Sequence, residues 1–193
     1  MGLQQSSISP CLFVGTLVEG LPPIYIGIYE DDIIYFSVDD QVEKEFESKL
    51  SAIGNVDFMG KVSHFLGIES GWKHHEAGNI SVSLTQQSFV ENLVESVNYS
   101  TASVSSFVSP YHSGLPIDSI PPSTLPSSEQ DKLRLHYQSL VGSINWLAHT
   151  TRPDLSTVVS LLAQQQSNPS PGHLEAALHV IKYIAQNNYG NIF

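Results

Sequence analysis

The 193-residue sequence predicts an α+β fold: a β-rich first half followed by a mostly helical second half. Three observations carry this expectation. Strand-like apolar runs occur at residues 24–38, 56–68 and 80–84, a Ser/Pro-rich stretch interrupts the pattern at 99–126, and helical apolar periodicity takes over from Ser127. With 41% hydrophobic and 14% charged residues the composition is that of a globular chain with a packed core.

The elements follow in order. In residues 24–38, Ile24, Tyr25, Ile26 and Ile28 precede Glu30, Asp31 and Asp32, and Ile33, Ile34, Tyr35 and Phe36 follow, which reads as a β-hairpin with carboxylates at its tip. Val42, Phe46, Leu50 and Ile53 have helical spacing, and Asp39 and Asp40 stand where a cap belongs, so an amphipathic helix is expected to lie on the sheet. Residues 56–68 and 80–84 have strand character, with turn chemistry at Glu76, Ala77, Gly78 and Asn79, giving a second hairpin. Thr85 is placed to cap a helix with Phe89, Val90, Leu93, Val94 and Val97 on its apolar face.

Residues 99–126, with Pro110, Pro116, Pro121, Pro122 and Pro126, read as an irregular surface connection. Ser127 and Gln130 have capping-box spacing at the start of a helix through Leu133, Tyr137, Leu140, Val141, Ile144 and Leu147. Pro153 interrupts that helix. A further helix through Leu155, Val158, Val159, Leu161 and Leu162 is stopped by Asn168, Pro169, Pro171 and Gly172, and residues 174–185 form the last one.

Eight Lys and Arg stand against 19 Asp and Glu, a formal charge of -11. Such a field repels polyanions and argues against a nucleic-acid binder. The single cysteine, Cys11, cannot form an intramolecular disulfide and has no thiolate companions, which suits an intracellular setting. No apolar run approaches the roughly 20 residues of a membrane helix, and residues 1–10 lack the basic and apolar regions of a signal peptide.

Adjacent carboxylates at a hairpin tip repel each other, and a divalent cation between them would relieve the repulsion. A solvated loop tip is the plain alternative. In two-metal phosphoryl transfer such acidic groups hold two Mg2+ ions, so Asp31 and Asp32 are candidate metal ligands.

At this point the residues resemble a family. Tyr29, Glu30, Asp31, Asp32, Ile33 and Ile34 look like the Tyr-Val-Asp-Asp hairpin of copia-type retrotransposon reverse transcriptases. Ser9 to Phe13 (SPCLF) matches the segment ahead of that hairpin, and His64 to Glu69 (HFLGIE) resembles the primer-grip hairpin. Tyr137 to Trp146 (YQSLVGSINW) and Thr151 to Leu155 (TRPDL) match the helical region that follows. Ser167 to Pro169 (SNP), His173, and the helix with Lys182 and Tyr183 resemble the segment leading to ribonuclease H.

The resemblance implies that residues 1–84 are the C-terminal half of the palm, a partial antiparallel sheet with a packed helix. Residues 85–150 would be thumb-like helices and 151–193 a connection. Asp31 and Asp32 would be catalytic and bind Mg2+ or Mn2+. Tyr29, Phe65, Leu66 and Gly67 would position the primer, and Arg152 and Lys182 would contact nucleic acid weakly. Primer-template and deoxynucleotides would be the partners of the intact enzyme.

The chain departs from the family pattern in two ways. A third aspartate, on an earlier palm strand, is expected before the point where this sequence starts, and ribonuclease H after the point where it stops; the hairpin would then present an unpaired apolar edge, favouring aggregation or a chaperone-like partner. Glu30 stands where the family has an apolar or small residue and should repel the DNA backbone. The expectation is an RNA-directed DNA polymerase fragment that is inactive alone, or a non-catalytic remnant or host-adopted interaction module of the same ancestry.

Other candidates have plainer readings. His74 and His75 read as a solvated loop, His173 and His179 as packing or surface residues, and Trp146 as core on its helix stripe. Arg152 either meets a phosphate or pairs with Asp154 or a helix C-terminus. Asn98, Tyr99 and Ser100 form a sequon without meaning inside a cell.

Overall fold

A computed structural model describes residues 2–76, 78–98, 108–111 and 117–187, and the backbone of 191–192. Among these described residues there are two small antiparallel sheets and five α-helices, the α+β class that the sequence predicts. The chain divides into two compact units, Met1–Phe65 and Leu66–Phe193. The division falls inside the HFLGIE block, so the second hairpin groups with the helices after it.

The first unit holds β1 (Gln4–Gln5), β2 (Leu12–Gly15), β3 (Ile24–Tyr29) and β4 (Asp32–Phe36), hydrogen-bonded in that order, and α1 (Asp40–Ser51). Alternation along β3 sends Ile24 and Ile26 to one face, where they are buried with Val42 and Phe46 of α1. Phe13, Ile28, Tyr35 and Leu50 pack around these four. Asp39 caps α1 as expected, its carboxylate accepting from the Gln41 N–H at 2.8 Å. Tyr35 donates to Glu47 of α1 at 2.5 Å, which ties β4 to the helix; burial, and after it this hydrogen bond, raises the phenol pKa.

The expected strand over 56–68 is corrected. Residues 53–63 carry no strand and are largely exposed, including Ile53 and Met59, because their apolar side chains find no sheet to cover. Only β5 (His64–Phe65) falls in that range before the chain turns into β6 (Ile68–His74). β6 pairs with β7 (Ile80–Thr85) in unbroken register from Glu69↔Thr85 to His74↔Ile80, and β7 pairs with β8 (Asn191–Ile192), which the sequence reading did not foresee. Ala77, within the expected turn, lies outside the described residues.

In the second unit α2 (Gln87–Ser96), α3 (Ser127–Thr150), α4 (Ser156–Ala163) and α5 (Pro171–Gln186) enclose one core. Tyr137, Val141, Ile144, Leu147, Leu155, Leu162, Val180, Ile181 and Ile184 are inaccessible to solvent in it. The Tyr137 hydroxyl donates to the Leu162 carbonyl at 2.7 Å, so even the polar tip of this side chain is satisfied. Trp146 is a correction: it is 40% exposed, because the buried face is set by Val141, Ile144, Leu147 and Ala148 and residue 146 points off it.

Two expected caps are also corrected. Pro126, not Ser127, occupies the N-cap of α3, and Gln130 is drawn away instead. Its amide donates to the Asn168 side chain at 3.0 Å and the Pro169 carbonyl at 2.7 Å, locking the SNP segment to α3. Thr85 does not cap α2; that role falls to Glu69 of β6, whose carboxylate accepts from the Ser88 N–H at 3.1 Å, the Ser88 hydroxyl at 2.7 Å and the Thr85 hydroxyl at 3.2 Å. Much of the expected connection, residues 99–107 and 112–116, lies outside the described residues, as do Tyr99 and Ser100 of the sequon.

Candidate functional site

The β3–β4 hairpin is closed by two residues, Glu30 and Asp31, and its last register pair is Tyr29↔Asp32. Glu30 takes a left-handed backbone, φ 51°, which a side chain without glycine's freedom or asparagine's local hydrogen bonding adopts at a cost of about 1–2 kcal/mol. The tight turn gathers Tyr29, Asp31 and Asp32 within four residues at the solvent end of a strand pair whose other end is anchored in the α1 core.

All three carboxylates of the tip are exposed, and among the described residues none of them makes an ion pair. Two adjacent carboxylates are hard oxygen donors suited to Mg2+ or Mn2+. Among the described residues, however, no three His, Cys, Asp or Glu side chains come together in a group able to hold a metal. The tip thus presents exposed oxygen donors that, among the described residues, belong to no group able to hold a metal.

Phe65 ends the first unit and is half-buried. Leu66 and Gly67 open the second unit in a tight turn, both with positive φ, 50° and 76°. Gly67 suits that conformation and Leu66 does not, so the turn carries strain at a non-glycine residue.

Arg152 and Lys182 lie in the helical unit. Arg152 is 5% exposed and forms a bidentate pair with Asp154, Nε to Oδ1 at 2.9 Å and Nη2 to Oδ2 at 2.8 Å, so of its two readings the pairing is the one seen. The guanidinium lies 5.6 Å from the centroid of the Tyr183 ring, and the Tyr183 hydroxyl donates to Asp154 at 3.1 Å. Burial pushes the Asp154 carboxyl up, but the hydrogen bonds and charge of Arg152 outweigh it and hold the group below the usual carboxylate range. Lys182 is half-buried on α5.

Sequence reasoning missed a buried polar node beside this pair. Gln86, 2% exposed, accepts through Oε1 from the hydroxyls of Thr150 and Thr151, joining the start of α2 to the end of α3. The clue was a glutamine directly before a predicted helix, a residue type that rarely caps.

No family model matches the chain, and no solved structure matches it. Curated relatives do. The chain is 31% identical over 193 residues to the retrovirus-related Pol polyprotein from transposon RE2 of Arabidopsis thaliana, an alignment that takes in 100% of this chain and 12% of that protein. It is 28% identical to the Pol polyprotein from transposon RE1 of the same plant, again over 100% of this chain and 12% of the relative. A transposon Ty5-1 protein of Saccharomyces cerevisiae is 28% identical over 162 residues, 84% of this chain and 49% of the yeast protein. The chain thus spans about half the length of the yeast relative and about an eighth of each Pol polyprotein. Its homologues are retrotransposon Pol polyproteins.

Proposed function

We propose that this chain is a segment of a copia-type reverse transcriptase that carries one half of the palm's metal site, followed by thumb and connection helices, and that it does not polymerise alone. The observation that carries the reading is the two-residue hairpin that sets Tyr29 opposite Asp32 with Asp31 at the tip. It lies within the stretch that aligns with the Pol polyproteins.

In this reading Asp31 and Asp32 supply oxygen ligands, and a further carboxylate has to come from outside the tip. The metal ions, when bound, would activate the primer hydroxyl and neutralise the leaving pyrophosphate. Tyr29 packs at the primer end. The Leu66–Gly67 turn, with Phe65 before it, offers backbone groups to the primer strand. The Arg152–Asp154–Tyr183 cluster fixes the connection helices and leaves Arg152 paired, and Lys182 of α5 would make a weak nucleic-acid contact.

Nucleic-acid binding should be weak. A charge of -11 opposes it, and Glu30 adds a third carboxylate where the primer backbone would pass. Glu30 is also the observation favouring the second reading, a non-catalytic remnant or host-adopted interaction module of the same ancestry. Among the described residues no helix is long and apolar enough to cross a membrane, and the exposed lone Cys11 suits an intracellular setting.

A primer-extension assay on the purified chain with Mg2+ or Mn2+ tests the proposal. No nucleotide incorporation is expected, and primer-template should bind more weakly than micromolar at physiological salt. Extension that Asp31→Asn abolishes, or sub-micromolar binding, would overturn it.

A further inference from the structure

The buried node at the start of α2 leaves two hydrogen-bond donors over. Gln86 Oε1 accepts from the Thr150 and Thr151 hydroxyls, which commits one end of the amide and turns Nε2 the other way. Arg152 gives Nε and Nη2 to Asp154, so its remaining nitrogen, Nη1, lies on the side of the guanidinium away from that carboxylate. Among the described residues, Gln86 Nε2 and Arg152 Nη1 are buried side-chain atoms without a hydrogen-bond partner. Both residues are more than nine-tenths buried. A buried donor left unpaired is costly, and native interiors seldom keep one.

The backbone brings the two residues to one junction. Gln86 is bonded to the Thr151 hydroxyl at 2.8 Å, and Arg152 is the next residue. The N–H groups of Thr151 and Arg152 both donate to the Leu147 carbonyl, at 3.1 and 2.8 Å, which pins them at the end of α3. Tyr183 of α5 closes another side, its ring centroid 5.6 Å from the guanidinium carbon.

Burial and charge decide what the donors hold. Neither nitrogen is reachable from solvent, so a peptide or nucleic-acid segment could not dock on them without opening the helical unit. The charge of Arg152 is already balanced by Asp154, and an anion would add a buried charge without a partner. A small neutral acceptor fits both conditions. Water can accept from both donors and donate in turn to an oxygen such as Thr150 Oγ1. We propose that one internal water, accepting from Gln86 Nε2 and Arg152 Nη1, is a constituent of this junction and joins the start of α2 to the turn after α3. The inference stands on two buried donors and is independent of the hairpin's reading as a metal half-site.

Water-selective NOE and ROE spectra of the full chain test it. The Gln86 side-chain amide protons and the Arg152 Nη1 protons should both show cross-peaks to water, with the sign of a water bound for longer than the chain's tumbling time. Deuteron relaxation dispersion should count about one long-lived water fewer in Gln86→Met, which keeps the side-chain length and removes the donor. Phosphate or acetate should leave the Arg152 guanidinium shifts unchanged. Cross-peaks missing from either group, an unchanged water count in a folded Gln86→Met chain, or a saturable shift of Arg152 with either anion would each overturn the proposal. The wild-type cross-peaks decide the matter even where Gln86→Met fails to fold.

Discussion

Glu69→Ala should loosen α2 in a way that can be read residue by residue. Gln86 occupies the N-cap position but its side chain is committed to Thr150 and Thr151, so the helix start relies on Glu69, 19 residues before Ser88. Loss of a capping acceptor costs about 1 kcal/mol, and loss of a negative charge at a partly exposed helix N-terminus about 0.5 kcal/mol more. Glu69→Ala should therefore cost about 1.5 kcal/mol locally, whereas Glu69→Gln, which keeps an acceptor, should cost about 0.5 kcal/mol. With two compact units, global unfolding need not be two-state, so native-state hydrogen exchange is the suitable assay. The Ser88 amide, which donates to Glu69, should exchange about tenfold faster in the Ala variant, with smaller changes at Phe89 and Val90. Unchanged Ser88 exchange in Glu69→Ala, or a Gln variant as damaging as the Ala variant, would refute the capping role.

Two further predictions follow from buried or strained residues. His173 is buried, its Nδ1 accepting from the Ser170 N–H at 2.9 Å; burial lowers its pKa below the ordinary 6.5, against a smaller opposing effect of the Ile117 backbone. A depressed histidine pKa means that the unfolded chain takes up the proton first, so stability should be full above about pH 7 and fall as pH drops through 6.5. The wild-type slope between about pH 7 and 5 should flatten in His173→Gln, and parallel urea-midpoint profiles for the two proteins would count against it. Glu30→Gly should stabilise the first hairpin by about 0.5–1 kcal/mol, since relief of the left-handed backbone exceeds glycine's extra entropy loss; a destabilised variant in thermal melts would show that the turn is not strained at residue 30.

The parts of the fold legible in the sequence are those set by neighbours in the chain. Alternation around Glu30 and Asp31 gave the hairpin, and Asp39 ahead of Val42 and Phe46 gave a capped amphipathic helix. The parts that were not legible depend on partners far away. Gln130 has the spacing of a capping box, but Asn168 and Pro169, 38 and 39 residues on, compete for its amide. Glu69 looks like a strand residue and caps a helix. Val56 and Phe58 have strand chemistry and no strand to pair with, so local propensity alone misplaced the second hairpin's first arm. For the site, the grouping of Tyr29, Asp31 and Asp32 followed from the turn itself. The role of Arg152 did not, because TRPDL places Asp154 two residues away without saying whether the guanidinium is buried.

Paramagnetic Mn2+ titration followed by amide NMR tests the half-site most directly. With Asp31 and Asp32 holding the ion and, among the described residues, no group of three metal-ligating side chains, line broadening should centre on residues 29–33, saturate on the order of millimolar Mn2+, and weaken in Asp31→Asn. Broadening centred elsewhere, or saturation in the micromolar range, would contradict the account of this hairpin as half of a metal site.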